Sequence, residues 1–132
     1  MFGAIDISTS GLVAQRIRQN TIAMNIANAD VVNSPDGGPY QRRSVIFSVG
    51  SQPNDPVETG VHVSAIEKQE VYRWEYDPNN PYANQDGYVK LPGIEPLVEM
   101  VNLMEAARAY EANLTAVEVS KAMLNSSLRL LA

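Results

Sequence analysis

The chain has no cysteine, one histidine and one tryptophan among its 132 residues. The missing cysteine excludes a disulfide scaffold, a cysteine-based zinc site and a cysteine nucleophile. It leaves the compartment open, because many exported proteins also lack cysteine. No apolar run approaches the roughly 20 residues of a bilayer-spanning helix. The N-terminus lacks the basic stretch and apolar core of a cleaved secretory signal. Basic residues are few: ten Lys and Arg against fifteen Asp and Glu, a formal charge of -5. Such a chain repels a phosphate backbone, which argues against nucleic-acid binding. Nucleotide and hydrolase motifs are missing too: there is no Gly-x-x-x-x-Gly-Lys-Ser/Thr, no Gly-x-Gly-x-x-Gly and no Gly-x-Ser-x-Gly. His62 stands on an expected strand without companion ligands and reads as structural. Asp77, Asn79 and Asp86 share a turn-rich stretch whose spacing fails the calcium-loop pattern. The chain therefore does not read as an enzyme, and no catalytic residue, cofactor, metal or small-molecule substrate is expected.

What is present is a folding composition, 45% hydrophobic and 19% charged, at the length of one small domain. Proline and glycine are unevenly spread. No proline falls between Ile5 and Asn28, and neither residue occurs after Pro96. Most of both lie between Ala29 and Glu95. The expected fold class is α+β: long N- and C-terminal helices pairing as a coiled coil, with a small β-rich middle segment. The expected division is an N-terminal helix over 1–30, a turn- and strand-rich segment over 31–95, and a C-terminal coiled-coil helix over 96–132. The first and last parts together form the helical core.

In the first helix, Ser8, Thr9 and Ser10 are candidate caps. Leu12, Val13, Ile17, Ala23, Met24 and Ala27 form its apolar stripe, which faces the core in this reading. Gln15, Arg18, Thr21, Asn25 and Asn28 lie opposite. Strands are expected over Arg43–Val49, around Val61–Ile66, over Glu70–Tyr76 and over Tyr88–Leu91. Ser51–Glu58, with two prolines, is expected to be loop. The strands pair either as one hairpin with an extra strand or as two hairpins.

Pro96 suits a helix start, and the pattern continues to Leu131, close to 36 residues. Met100, Leu103, Ala107, Tyr110, Leu114, Val117, Lys121, Leu124, Leu128 and Leu131 alternate spacings of three and four, as a coiled-coil seam does. A second partial stripe, with Val101, Met104, Val119 and Met123, lies roughly opposite. The shorter first helix cannot cover both, so the remaining apolar surface calls for other chains. Glu105, Arg108 and Glu111, and Glu118 and Lys121, stand three residues apart. They either brace an exposed face or set register between subunits.

Several segments together carry a family resemblance. Asn25-Ile-Ala-Asn-Ala-Asp30 closes the first helix. Ser34-Pro-Asp-Gly-Gly-Pro-Tyr40, Arg42-Arg43 and Val45-Ile-Phe47 follow. Glu99-Met-Val-Asn102 and Glu105-Ala-Ala-Arg-Ala-Tyr-Glu-Ala-Asn113 stand near the other end. In these the chain resembles the bacterial flagellar basal-body rod proteins, of the rod and hook family, and among them the proximal rod members. The resemblance implies a structural subunit of the rod, the shaft that transmits torque from the membrane ring to the hook. It implies export by the flagellar type III apparatus without a cleaved signal, then polymerisation in the periplasm. It also implies terminal helices that pair into an inner tube and are disordered in the free chain. Implied partners are other copies, other rod subunits, the membrane-ring base and the export apparatus. By motif it assigns Asn25, Asn28, Met100, Val101, Asn102, Arg108, Tyr110 and Asn113 to subunit packing. The helical stripes add Leu12, Ile17, Met24, Leu103, Leu114, Val117, Leu124 and Leu128. The competing reading is a soluble helical-hairpin adaptor that binds a partner helix.

Overall fold

A computed structural model describes residues 2–50 and 59–132. The element order is α1 (Phe2–Ala27), β1 (Arg42–Val49), β2 (Val61–Gln69), β3 (Tyr72–Tyr76), β4 (Tyr88–Pro92) and α2 (Pro96–Leu131). The chain is α+β, with two long terminal helices around a small antiparallel middle. The loop expected over Ser51–Glu58 lies outside the described residues.

α2 has 36 residues and so is about 54 Å long. Pro96 opens it, where its missing N–H and fixed φ cost nothing. α1 starts earlier than expected, by Phe2, so Ser8, Thr9 and Ser10 do not cap it. Inside a helix their hydroxyls turn to the carbonyls of the preceding turn. Thr9 donates to the Ile5 carbonyl at 2.7 Å and Ser10 to the Ile7 carbonyl at 2.6 Å.

The middle segment is a pair of hairpins in separate two-stranded sheets. β1 and β2 pair antiparallel from Arg42 opposite Gln69 to Val49 opposite Val61, with a bulge between Ile46 and Phe47. This hairpin leans on α1, where the Val61 N–H donates to Ser10 Oγ at 3.1 Å. Gly60 has φ +98°, and a Cβ there would stand 2.5 Å from Ser10 Oγ, so a side chain is excluded twice over. β3 and β4 pair from Tyr72 opposite Pro92 to Tyr76 opposite Tyr88. Their inner residues Val89 and Leu91 are buried, as are Ala29, Tyr40 and Ile94, which cluster with Val31 where α1 ends and α2 begins.

The helices are antiparallel neighbours. Gly11, Arg18 and Asn25, seven residues apart on α1, meet Asn113, Glu105 and Glu99 on α2. This heptad pace fits a coiled-coil pair, but the contacting faces differ from those expected. On α1 the buried residues are Gly11, Ala14, Thr21, Ile22 and Asn25. Val13, Ala23, Met24 and Ala27, from the expected core stripe, are exposed, and Leu12 and Ile17 are half-buried. On α2, Glu99, Ala106 and Val117 are buried, and Leu103, Tyr110 and Leu124 are half-buried. The alternate seam positions Met100, Leu114 and Leu128 are exposed. At Gly11 a Cβ would stand 2.8 Å from the Asn113 amide across the pair, so a larger side chain there would displace Asn113.

Candidate functional site

A buried polar junction fixes the entry and exit of the two helices. Asn25, in the last turn of α1, has no exposed surface. Its Nδ2 donates to the Arg43 carbonyl at 2.8 Å and, at 3.5 Å, faces Glu99 Oε2. Its Oδ1 accepts from the Arg43 N–H at 2.9 Å and from the Tyr40 hydroxyl at 3.1 Å. One amide thus gives the start of β1 both bonds that a ladder neighbour would give, which a leucine of similar size cannot do. Asn28 turns back on its own helix, donating to the Met24 carbonyl at 2.7 Å.

Glu99, in the first turn of α2, is 2% exposed. Arg42 Nε donates to Glu99 Oε1 at 2.7 Å, and an Nη of Arg42 donates to Gln69 Oε1 at 2.7 Å. The positive end of the helix adds to the favour shown the carboxylate. The junction therefore ties α1, β1, β2 and α2 through directional bonds in a place where the apolar core is small. Burial pushes the Tyr40 phenol above its ordinary pKa, Arg43 opposes the shift and Glu99 adds to it. The phenol stays protonated and able to donate.

The second feature is the outside of the helix pair. Among the described residues nine apolar side chains are buried, and twenty-three large ones are exposed. On α2 the exposed set runs through Leu97, Met100, Val101, Met104, Leu114, Val119, Met123, Leu128 and Leu130, and on α1 it includes Phe2, Ile7, Val13 and Met24. A patch of this extent on a small chain marks an interaction surface. α2 is also ten residues longer than α1. Given the antiparallel register, the turns from Met123 to Leu131 stand past the end of their partner.

The residues assigned to packing from the sequence divide accordingly. Asn25 and Val117 are buried within the chain. Leu12, Ile17, Asn28, Asn102, Leu103, Tyr110, Asn113 and Leu124 are half-buried. Met24, Met100, Val101, Arg108, Leu114 and Leu128 face solvent. Tyr40, Arg42 and Glu99 were not singled out as a bonded group. The adjacent Tyr40 and Arg42-Arg43, with an acid four residues into a long helix, were the available signal. Gly11, a weak helix former by type, stands at heptad spacing from Arg18 and Asn25 on the contact face.

Comparison with known proteins settles the family. The model for "Flagella basal body rod protein" matches residues 5–33, and that for "Flagellar basal body rod FlgEFG protein C-terminal" matches residues 85–130. These segments hold most of α1 and α2. The flagellar basal-body rod protein FlgC of Aquifex aeolicus is 46% identical over 121 residues, covering 92% of this chain and 90% of the relative. The chain belongs to the FlgC family of flagellar basal-body rod proteins. FlgC of Salmonella typhimurium is 40% identical, covering 98% of this chain and 97% of its own, and FlgC of Bacillus subtilis is 36% identical with the same coverage. As a FlgC-family chain it is a structural subunit of the rod in the flagellar basal body, not an enzyme. It assembles with other flagellar components. Nothing in these matches favours the adaptor reading.

Proposed function

We propose that the chain polymerises through the outer apolar surface of its paired helices into the helical shaft of the rod. In this reading 1–30 and 96–132 form the assembly core, and 31–95 sits outside it. The residues that pack between subunits are the exposed Met24, Met100, Val101, Leu114 and Leu128, with Arg108 beside them. Asn25, Asn113 and Val117 set the pairing within each subunit. Neighbours are other copies, other rod subunits and the membrane-ring base. Delivery is by the flagellar type III export apparatus, without a cleaved signal, to the periplasm.

The observation that carries this reading is the uncovered apolar surface on both helices, continued by the free last turns of α2. An overhanging apolar helix end offers a head-to-tail contact, and such contacts do not close into a ring. The test is Val101→Lys with Met104→Lys. Both positions are exposed and away from the polar junction. The double variant is expected to keep its far-UV circular dichroism and its unfolding free energy within about 0.5 kcal/mol. In a strain lacking its own copy it is expected to give no rods in isolated basal bodies and no swimming. Normal rods and normal swimming would overturn the proposal.

A further inference from the structure

Four of the five methionines fall among the described residues, and all four lie on the outside of the helix pair. Met24 on α1 is 43% exposed, and Met100, Met104 and Met123 on α2 are 50%, 58% and 57% exposed. The fifth, Met1, lies outside the described residues. None of the buried apolar residues among those described is a methionine. Met100 and Met104 stand one turn apart on one side of α2. Met123 stands on the turns that pass the end of α1. Methionine commonly fills irregular gaps in a core. Here these four belong to the apolar surface left open for assembly. The chain has no cysteine, so thioethers are its only sulfur and no thiol of its own competes for an oxidant.

A solvent-exposed thioether is open to two-electron oxidation. With a hypohalous acid such as hypochlorous acid, the sulfur lone pair takes chlorine and hydroxide leaves. Water then adds its oxygen to sulfur, and chloride departs with the protons released. The net change turns thioether and hypochlorous acid into sulfoxide and hydrochloric acid. Sulfur loses two electrons and chlorine gains two. The sulfoxide is polar, and it accepts hydrogen bonds without donating any. On the free chain it is solvated, and the fold stands because these side chains are not part of the core. Between two subunits it must shed its water, and a polar group buried without a donor is costly. We propose that Met24, Met100, Met104 and Met123 are oxidation sites of the unassembled chain, whose sulfoxides bar a folded subunit from the rod. The interval open to oxidant runs from synthesis to incorporation, after which neighbouring subunits cover these side chains. Methionine sulfoxide reductases reverse the change, so a rejected subunit is recoverable. This inference rests on the polymerisation proposed above and gives its surface a chemical control.

The test sets the unaltered chain against a variant carrying Met24→Leu, Met100→Leu, Met104→Leu and Met123→Leu in the same cell. Leucine keeps the apolar bulk of methionine and has no sulfur to oxidise. Cells lacking their own copy express both chains and build rods with or without sublethal hypochlorous acid. Mass spectrometry of isolated basal bodies gives the ratio of variant to unaltered chain, divided by the same ratio in whole cells. All other components are shared, so general oxidative damage cancels, and the untreated cells supply the baseline. The ratio is expected to rise severalfold with oxidant. A ratio that does not move at any sublethal dose would overturn the proposal. So would a purified chain that loses its helical circular dichroism when the four sulfoxides form, or whose four methionines resist an oxidant that converts a short methionine peptide. Should the fourfold variant stay out of untreated rods, Met104→Leu with Met123→Leu carries the same comparison, with a smaller rise expected. Normal rods from the Val101→Lys, Met104→Lys chain would remove the assembly surface and this control together. A fixed ratio beside loss of rods in that chain would remove the oxidation control alone.

Discussion

Replacing Asn25 by alanine tests the claim that directional bonds, rather than apolar area, hold the helix ends in place. The side chain is fully buried and serves four partners. Truncation strands the Arg43 N–H, the Arg43 carbonyl and the Tyr40 hydroxyl. A buried polar group left without a partner costs about 1–3 kcal/mol. The Arg43 pair alone is then expected to cost about 2–6 kcal/mol, part of the tyrosine loss being recovered by water entering the space the amide leaves. That is a large share of the roughly 5–15 kcal/mol that a domain holds in total. The assay is urea unfolding followed by far-UV circular dichroism, with the denaturant slope checked for constancy. Asn25→Asp sharpens the argument, because it keeps the shape and both acceptor contacts. It loses the donor to the Arg43 carbonyl and sets a second carboxylate against Glu99. The new carboxyl is held above its unfolded pKa by burial and by that neighbour. The folded state then binds more protons than the unfolded one between the two pKa values. Its deficit relative to the unaltered chain is therefore greatest above the raised pKa and shrinks as pH falls. A loss below about 1 kcal/mol for Asn25→Ala, or a deficit of Asn25→Asp that grows on acidification, would refute the reasoning.

Three further outcomes follow from the same geometry. A Cβ on Gly11 would stand 2.8 Å from Asn113 Nδ2, so Gly11→Val is expected to cost about 1–3 kcal/mol, with Asn113→Ala restoring most of it in a double-mutant cycle. Stopping the chain after Ala122 removes turns that have no α1 opposite them, so the melting temperature is expected to hold while rods are lost, as read by calorimetry and by electron microscopy of basal bodies. Lys68 holds the Asp36 carboxyl below its ordinary value by a 3.0 Å hydrogen bond and its charge; an NMR titration should show that midpoint rise in Lys68→Gln. Whatever this ion pair contributes is present at neutral pH and is lost as pH falls through the lowered pKa.

The three-part organisation was legible in the residues because local chemistry dictates it. Pro96 and the absence of later proline or glycine fix a helix to Leu131, as observed. The turn formers from Asn33 to Pro39 close a compact turn, in which the Ser34 N–H reaches the Gly38 carbonyl at 2.8 Å and both glycines take positive φ. The alternating Val45, Phe47 and Val49 lie in β1. The motifs at the two ends placed the chain in its family. The candidate junction was legible only in part. Asn25 was marked by its motif, whereas Tyr40, Arg42 and Glu99 join it from three other places in the chain, and no spacing rule links them.

Which face of each helix turns inward was decided by the tertiary structure. Periodicity assigns the most apolar stripe to the core, and on that rule Met24, Met100 and Leu114 belong inside. In the fold they are exposed, whereas Gly11, Ala14, Thr21 and Ala106 are buried and Gly11 closes against Asn113. The rule takes the single chain as the unit that hides apolar surface. Here Gly11 closes against the Asn113 side chain, Arg18 meets Glu105, and polar bonds from Asn25 fix the pair at one end. The larger side chains are left outside, as a subunit that assembles requires. Sequence alone determined that these helices form and that they carry more apolar surface than one chain can cover. Only the three-dimensional packing determined which part of that surface stays open, because steric fit and buried hydrogen bonding depend on residues far apart in the chain.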